Sequence, residues 1–88
     1  MTRYELQIRW VGNELVFLEP PEMDEAILGV CERFGQDPVV AYDRDLVIRI
    51  LAKEMGLDNA VEWFGFNTIG SWVGDQTPCF IALGTGVN

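Results

Sequence analysis

The stretch Val39–Gly56, VVAYDRDLVIRILAKEMG, decides how the chain is read. Val39-Val40-Ala41-Tyr42 is a short apolar run of the kind that fits a buried strand. Asp43 follows it as a helix N-cap, because its short carboxylate can accept the unpaired amide hydrogens of a first helical turn. From Arg44 to Met55, Leu46, Val47, Ile50 and Leu51 recur at helical spacing and point inward, and Gly56 is the stop. A strand feeding directly into a capped amphipathic helix makes this an α+β chain rather than an all-helical or all-strand one.

Working toward the N-terminus, Gln36-Asp37-Pro38 makes a turn. Before it, Met23, Ala26, Ile27, Val30, Cys31 and Phe34 recur as one stripe of an amphipathic helix expected over residues 22–34. Acids at Glu22, Asp24 and Glu25 suit its positive end, and Arg33 suits its negative end. Residues 3–11, RYELQIRWV, alternate: Tyr4, Leu6, Ile8 and Trp10 on one side, Arg3, Glu5, Gln7 and Arg9 on the other. That is the period of a half-buried strand. With Gly12-Asn13 and the β-prone ELVFLE that follows, it predicts an N-terminal β-hairpin ended by Pro20-Pro21.

Working toward the C-terminus, Asp58 is expected to cap a third helix running through Ala60, Val61 and Phe64. Gly70 and Gly74 interrupt the pattern, Thr77-Pro78 enforces extension, and Cys79–Leu83 reads as the last strand. Residues 83–88 form a polar tail. The expectation is one small α+β domain over residues 1–88, with about three helices on a small, mostly antiparallel sheet.

Composition limits the chemistry. Fourteen acids against six bases give a formal charge of −8, and Lys53 is the sole lysine. Phosphate backbones are bound by neutralising them with Lys and Arg, so direct nucleic-acid binding is disfavoured. Glu14, Glu19, Glu22, Asp24 and Glu25 crowd into twelve residues. Such a cluster serves solubility or meets a basic partner, such as a nucleic-acid-binding protein. No apolar run reaches the length of a membrane span and no leader pattern opens the chain, so a cytoplasmic protein is expected.

The chain has no histidine, which removes the commonest general base and metal ligand. Cys31 and Cys79 lie among apolar neighbours without a CxxC spacing and read as buried, unpaired thiols. No phosphate-binding glycine fingerprint is present, and Asp43-Arg44-Asp45 lacks the downstream glycine and glutamate of a calcium loop. No catalytic residue, metal site or cofactor is assigned, and a non-enzymatic protein is expected.

The densest aromatic region is Glu62–Pro78, EWFGFNTIGSWVGDQTP. Helical geometry prevents Trp63, Phe64 and Phe66 from sharing one stripe, so some of these rings complete the core and others are free for recognition. Trp63, within the helix, is expected in the core. Trp72, between Gly70 and Gly74, is the candidate binding anchor, with Asp75 and Gln76 as its polar rim; Glu22, Asp24 and Glu25 are the candidate contacts to a basic partner.

Tyr42-Asp43, Ala60-Val61-Glu62-Trp63, Phe66-Asn67, Gly70-Ser71-Trp72-Val73-Gly74 and Thr77-Pro78-Cys79-Phe80 follow one another in a recognisable order. In this succession the chain resembles a group of small bacteriophage and prokaryotic proteins that run roughly YD…EA.E…FN..GAWVG..TP.F and have no established activity. The resemblance covers about residues 39–81, with Val61 and Ser71 in place of commoner choices. It implies a phage or prophage accessory factor in the host cytoplasm that binds and modulates another protein, with an anti-defence inhibitor of a nucleic-acid-guided nuclease as its most concrete form. Two alternatives stand beside it: a small-ligand binder with the Trp72 region as pocket lid, and a virion or assembly component.

Overall fold

A computed structural model of the chain describes residues 1–68 and 74–84. In chain order these form α1 (Arg3–Arg9), a 3-10 helix (Pro21–Ala26), β1 (Ile27–Cys31), β2 (Val39–Asp43), α2 (Arg44–Met55), α3 (Leu57–Trp63), a π-helical turn (Phe64–Thr68) and β3 (Cys79–Ile81). The α+β expectation holds: helices pack on a three-stranded sheet of order β1-β2-β3. β1 and β2 form its antiparallel hairpin, while β3 lies parallel to β2. Among the described residues, no helix is long and apolar enough to cross a membrane.

The strand–cap–helix reading is the frame of the fold. β2 is central, and Val39, Val40, Ala41 and Tyr42 are all buried, which is why this strand is continuously apolar instead of alternating. Asp43 caps α2: its Oδ1 accepts the amide hydrogens of Asp45 and Leu46 at 3.1 and 3.2 Å. Val47, Ile48 and Leu51 enter the core, while Leu46 and Ile50 sit half-buried at its margin. Gly56 ends α2 with φ +82°, a conformation that favours glycine, and its N–H donates to the Ala52 carbonyl at 2.9 Å. The same Gly56 opens α3, so Asp58 lies in the first turn of that helix and not at its cap.

The N-terminal half departs from expectation twice. Residues 3–9 are helical, not extended, and no hairpin forms there. Thr2 and Glu5 make a reciprocal capping box: Thr2 Oγ1 accepts from the Glu5 amide at 3.3 Å, and Glu5 Oε1 from the Thr2 amide at 2.8 Å. Leu6 is buried and Trp10 is half-buried against the core, whereas Tyr4 and Ile8 face out. The ELVFLE segment joins no strand; Leu15, Phe17 and Leu18 pack on the core as irregular chain.

The helix expected over 22–34 is also replaced. Its first third is the 3-10 helix, and Ile27–Cys31 becomes β1. Gly29, with φ +154°, sits at a register shift between Ile27 and Gly29 that bulges the strand. A glycine there already weakens a helix by about 1 kcal/mol. Pairing with β2 from Ile27 to Cys31, interrupted only by the shift at Gly29, takes its place. Phe34, placed by the helical stripe in the core, is fully exposed in the β1–β2 turn.

Candidate functional site

An Arg3 hub ties the irregular segment to the core. Its Nε lies 3.1 Å from both carboxylate oxygens of Asp24, its Nη1 2.9 Å from Glu19 Oε2, and its Nη2 donates to the Leu18 carbonyl at 2.8 Å. The Arg3 amide also donates to Asp24 Oδ2 at 3.1 Å, satisfying one of the unpaired N–H groups of the first turn of α1. Asp24 raises the Arg3 pKa further above its ordinary range, and Glu19 adds to this against the cost of burial. The Phe17 ring lies under the guanidinium at 5.3 Å.

Next to this hub, Leu18 N–H donates to the Tyr42 hydroxyl at 2.8 Å. Burial pushes the Tyr42 phenol above its ordinary 10.0, and the Leu18 hydrogen bond pulls the other way. Phe80 of β3, paired with Tyr42 across the strands, stacks near it at 6.0 Å and meets the edge of Phe64 at 5.1 Å. Phe64 therefore closes the core, with Arg44 over its ring at 5.4 Å.

The acidic cluster does not form one face. Asp24 turns inward to Arg3, and Glu19 also spends its carboxylate on that arginine. Asp24 thus sits in the Arg3 ion pair and not on an open acidic face. Glu14 lies in a shallow recess with Asp37 and Gln76. Glu22 and Glu25 remain exposed, and both line a cleft between the 3-10 helix and α2.

That cleft has a volume of about 180 Å³. Pro20, Met23, Ile50 and Leu51 give it apolar walls, and Glu22, Glu25, Glu54 and Lys53 surround them. Small-molecule sites usually measure roughly 300–1,000 Å³, so this one suits a single inserted side chain. Three carboxylates against one ammonium make its rim acidic. Ile50, Lys53 and Glu54 were missed by sequence reasoning. The available signal was α2 itself: Ile50 and Glu54 are i, i+4 neighbours on the edge of its apolar stripe.

The other candidates lie elsewhere. Trp72 falls outside the described residues. Asp75 and Gln76 line recesses that share Asp37, not the α2 cleft. Gln76 Nε2 donates to Asp37 Oδ2 at 2.9 Å, and Arg33 Nη2 donates to the carbonyls of Asp37 and Asp75 at 3.0 and 3.2 Å. These bonds hold the segment before β3 against the β1–β2 turn. Trp63, expected in the core, is 42 % exposed, and Phe66 is 78 % exposed, against 2 % for Phe64.

Cys31 and Cys79 are free and half-buried, at the end of β1 and the start of β3. Burial pushes the Cys79 thiol above its ordinary 9.0, with the neighbouring Cys31 adding to the shift. A thiol raised in this way is a poor nucleophile at neutral pH. Among the described residues, no group of three or more acids and cysteines could hold a metal ion. Compared with protein-family models, curated proteins and solved structures, the chain matches none of them.

Proposed function

We propose that this is a non-enzymatic binding protein that docks a basic segment of another protein in the cleft between the 3-10 helix and α2, and so modulates that partner. The observation that carries the reading is the combination of an apolar-walled cleft with the exposed carboxylates of Glu22, Glu25 and Glu54 around it. An apolar side chain of the partner fills the cleft, where burial supplies most of the affinity. Lys or Arg residues flanking it meet the carboxylates, which speeds encounter and selects against acidic competitors. The formal charge of −8 acts in the same direction at longer range.

The resemblance of residues 39–81 to phage-type proteins gives this reading its most concrete form. A nucleic-acid-binding enzyme exposes the basic surface such a cleft would engage, and an acidic protein seated there competes with the nucleic acid. The modulated partner is then a host or phage nucleic-acid-handling protein, with a guided nuclease as one example.

Peptides carrying one central Leu, Phe or Trp between lysines and arginines test the site directly by backbone amide NMR. Shifts concentrated at Glu22, Glu25, Ile50 and Glu54, abolished by Glu22→Lys with Glu25→Lys and weakened by salt, are the expected result. Shifts that map elsewhere, or binding that ignores both charge reversal and salt, refute the cleft as the working surface.

A further inference from the structure

The period-2 pattern of residues 4–10 has an unusual consequence once the segment is helical. Residues two apart lie on nearly opposite sides of a helix, whereas residues four apart share a face. Leu6 and Trp10 therefore take the core side, and Tyr4 and Ile8 form a second apolar row on the opposite side. Tyr4 is 70 % exposed, Ile8 75 %, and Val11, in the turn that ends α1, 80 %. Single exposed apolar residues are ordinary, but a row of three large ones on one short element marks an interaction surface.

We infer that this row is covered by the same row of a second copy of this chain, in an antiparallel two-fold pairing of α1 with α1. Charge selects the occupant. Arg3 is spent on Asp24 and Glu19, so the outward side of α1 carries only Glu5 and Arg9, which balance, on a chain of formal charge −8. Two acidic molecules thus approach with least repulsion at this element. A two-fold axis near Gln7 lays Tyr4 of one copy beside Ile8 and Val11 of the other, and sets each Glu5 near the Arg9 of its mate. An isologous contact repeats every favourable pair twice.

The area sets the strength. Three such side chains offer on the order of 300–400 Å² per copy, about half of the ~800 Å² each partner contributes to a standard interface. The dimer is accordingly weak, half-formed at micromolar to near-millimolar protein, and it leaves the α2 cleft to other partners.

Sedimentation equilibrium of the whole chain over that concentration range reads this directly. The expected result is a reversible monomer–dimer equilibrium that Ile8→Lys weakens at least tenfold; because Ile8 is so exposed, the variant keeps its fold by circular dichroism. Arg9→Glu alone is expected to be monomeric, and so is Glu5→Arg, which keeps the cap bond from the residue-5 amide to Thr2 Oγ1 and whose helical content circular dichroism checks. Their equimolar mixture regains a dimer, since each then faces its opposite. A wild-type protein that stays monomeric, or a dimer indifferent to Ile8→Lys, overturns the inference. A dimer lost in Ile8→Lys but not restored in the mixture overturns the antiparallel register.

Discussion

Replacing Asp24 by alanine tests whether the Arg3 hub holds the N-terminal half in place. The substitution removes the acceptor for three donors at once: the Arg3 amide, Nε and Nη2. Both side chains are largely dry, at 13 % exposure for Arg3 and 15 % for Asp24, so water replaces the lost partner poorly. Breaking a buried pair by deleting one partner costs about 3–5 kcal/mol, and the residual exposure here argues for the lower end, about 3. A domain of this size has a total stability of roughly 4–13 kcal/mol. The loss is therefore large, and corresponds to a fall in Tm of about 12–24 °C. Glu19→Ala is the internal control. It removes a carboxylate from the same arginine, but one that is 69 % exposed, and should cost no more than about 1 kcal/mol. Replacing both hub partners by apolar residues, Arg3→Met with Asp24→Leu, should recover part of the loss, because no charge is then left buried alone. Urea unfolding of the four proteins decides the matter. Equal costs for Asp24→Ala and Glu19→Ala would refute the hub, and would return Asp24 to the solvated acids.

Three further outcomes are expected. Phe64→Ala should cost about 3–5 kcal/mol, as a core aromatic does, and Trp63→Ala and Phe66→Ala distinctly less; chemical denaturation ranks the three. Asp43→Ala should cost about 0.5–2 kcal/mol through loss of its cap bonds, whereas Asp58→Ala, in the first turn of α3, should cost less, as thermal unfolding will show. Stability should hold from neutral pH to about 9.0 and fall as pH rises beyond it. Cys79 and then Tyr42 have folded-state pKa values raised above their ordinary 9.0 and 10.0, so the folded state holds those protons longer and loses that advantage as they leave. Urea midpoints between neutral and alkaline pH measure this, and Tyr42→Phe should flatten the higher-pH part of the decline.

The candidate site was only partly legible. Glu22 and Glu25 could be picked out because charge is written in composition, and they do line the α2 cleft. Their neighbour Asp24 could not be told from them, since an acid's worth depends on what stands opposite it. Arg3 is twenty-one residues away in sequence, and only the folded chain brings it to hydrogen-bonding distance. Ile50 and Glu54 were hidden for a related reason. A position at the edge of an apolar stripe becomes a cleft wall only when another element packs beside it but not over it.

What the sequence determined by itself was local: the apolar run of β2, the Asp43 cap, the α2 stripe and the Gly56 stop, each carried by interactions within a few residues. Thr2 and Glu5 carried an equally local signal for α1, the S/T-x-x-E spacing of a capping box, which the more conspicuous alternation of residues 3–11 concealed. That alternation is compatible with two structures: a strand with one wet face, or a helix with two apolar faces. Choosing between them needed the rest of the molecule. Asp24 supplies an acceptor at the N-terminus of α1, and Leu6 finds the core, while Ile27–Cys31 leaves its helical periodicity to occupy the edge of β2. A central strand buried on both faces must pair its backbone groups on both sides, because water cannot reach them there. That demand is non-local, and it outweighs the roughly half kilocalorie per residue by which helix propensities differ.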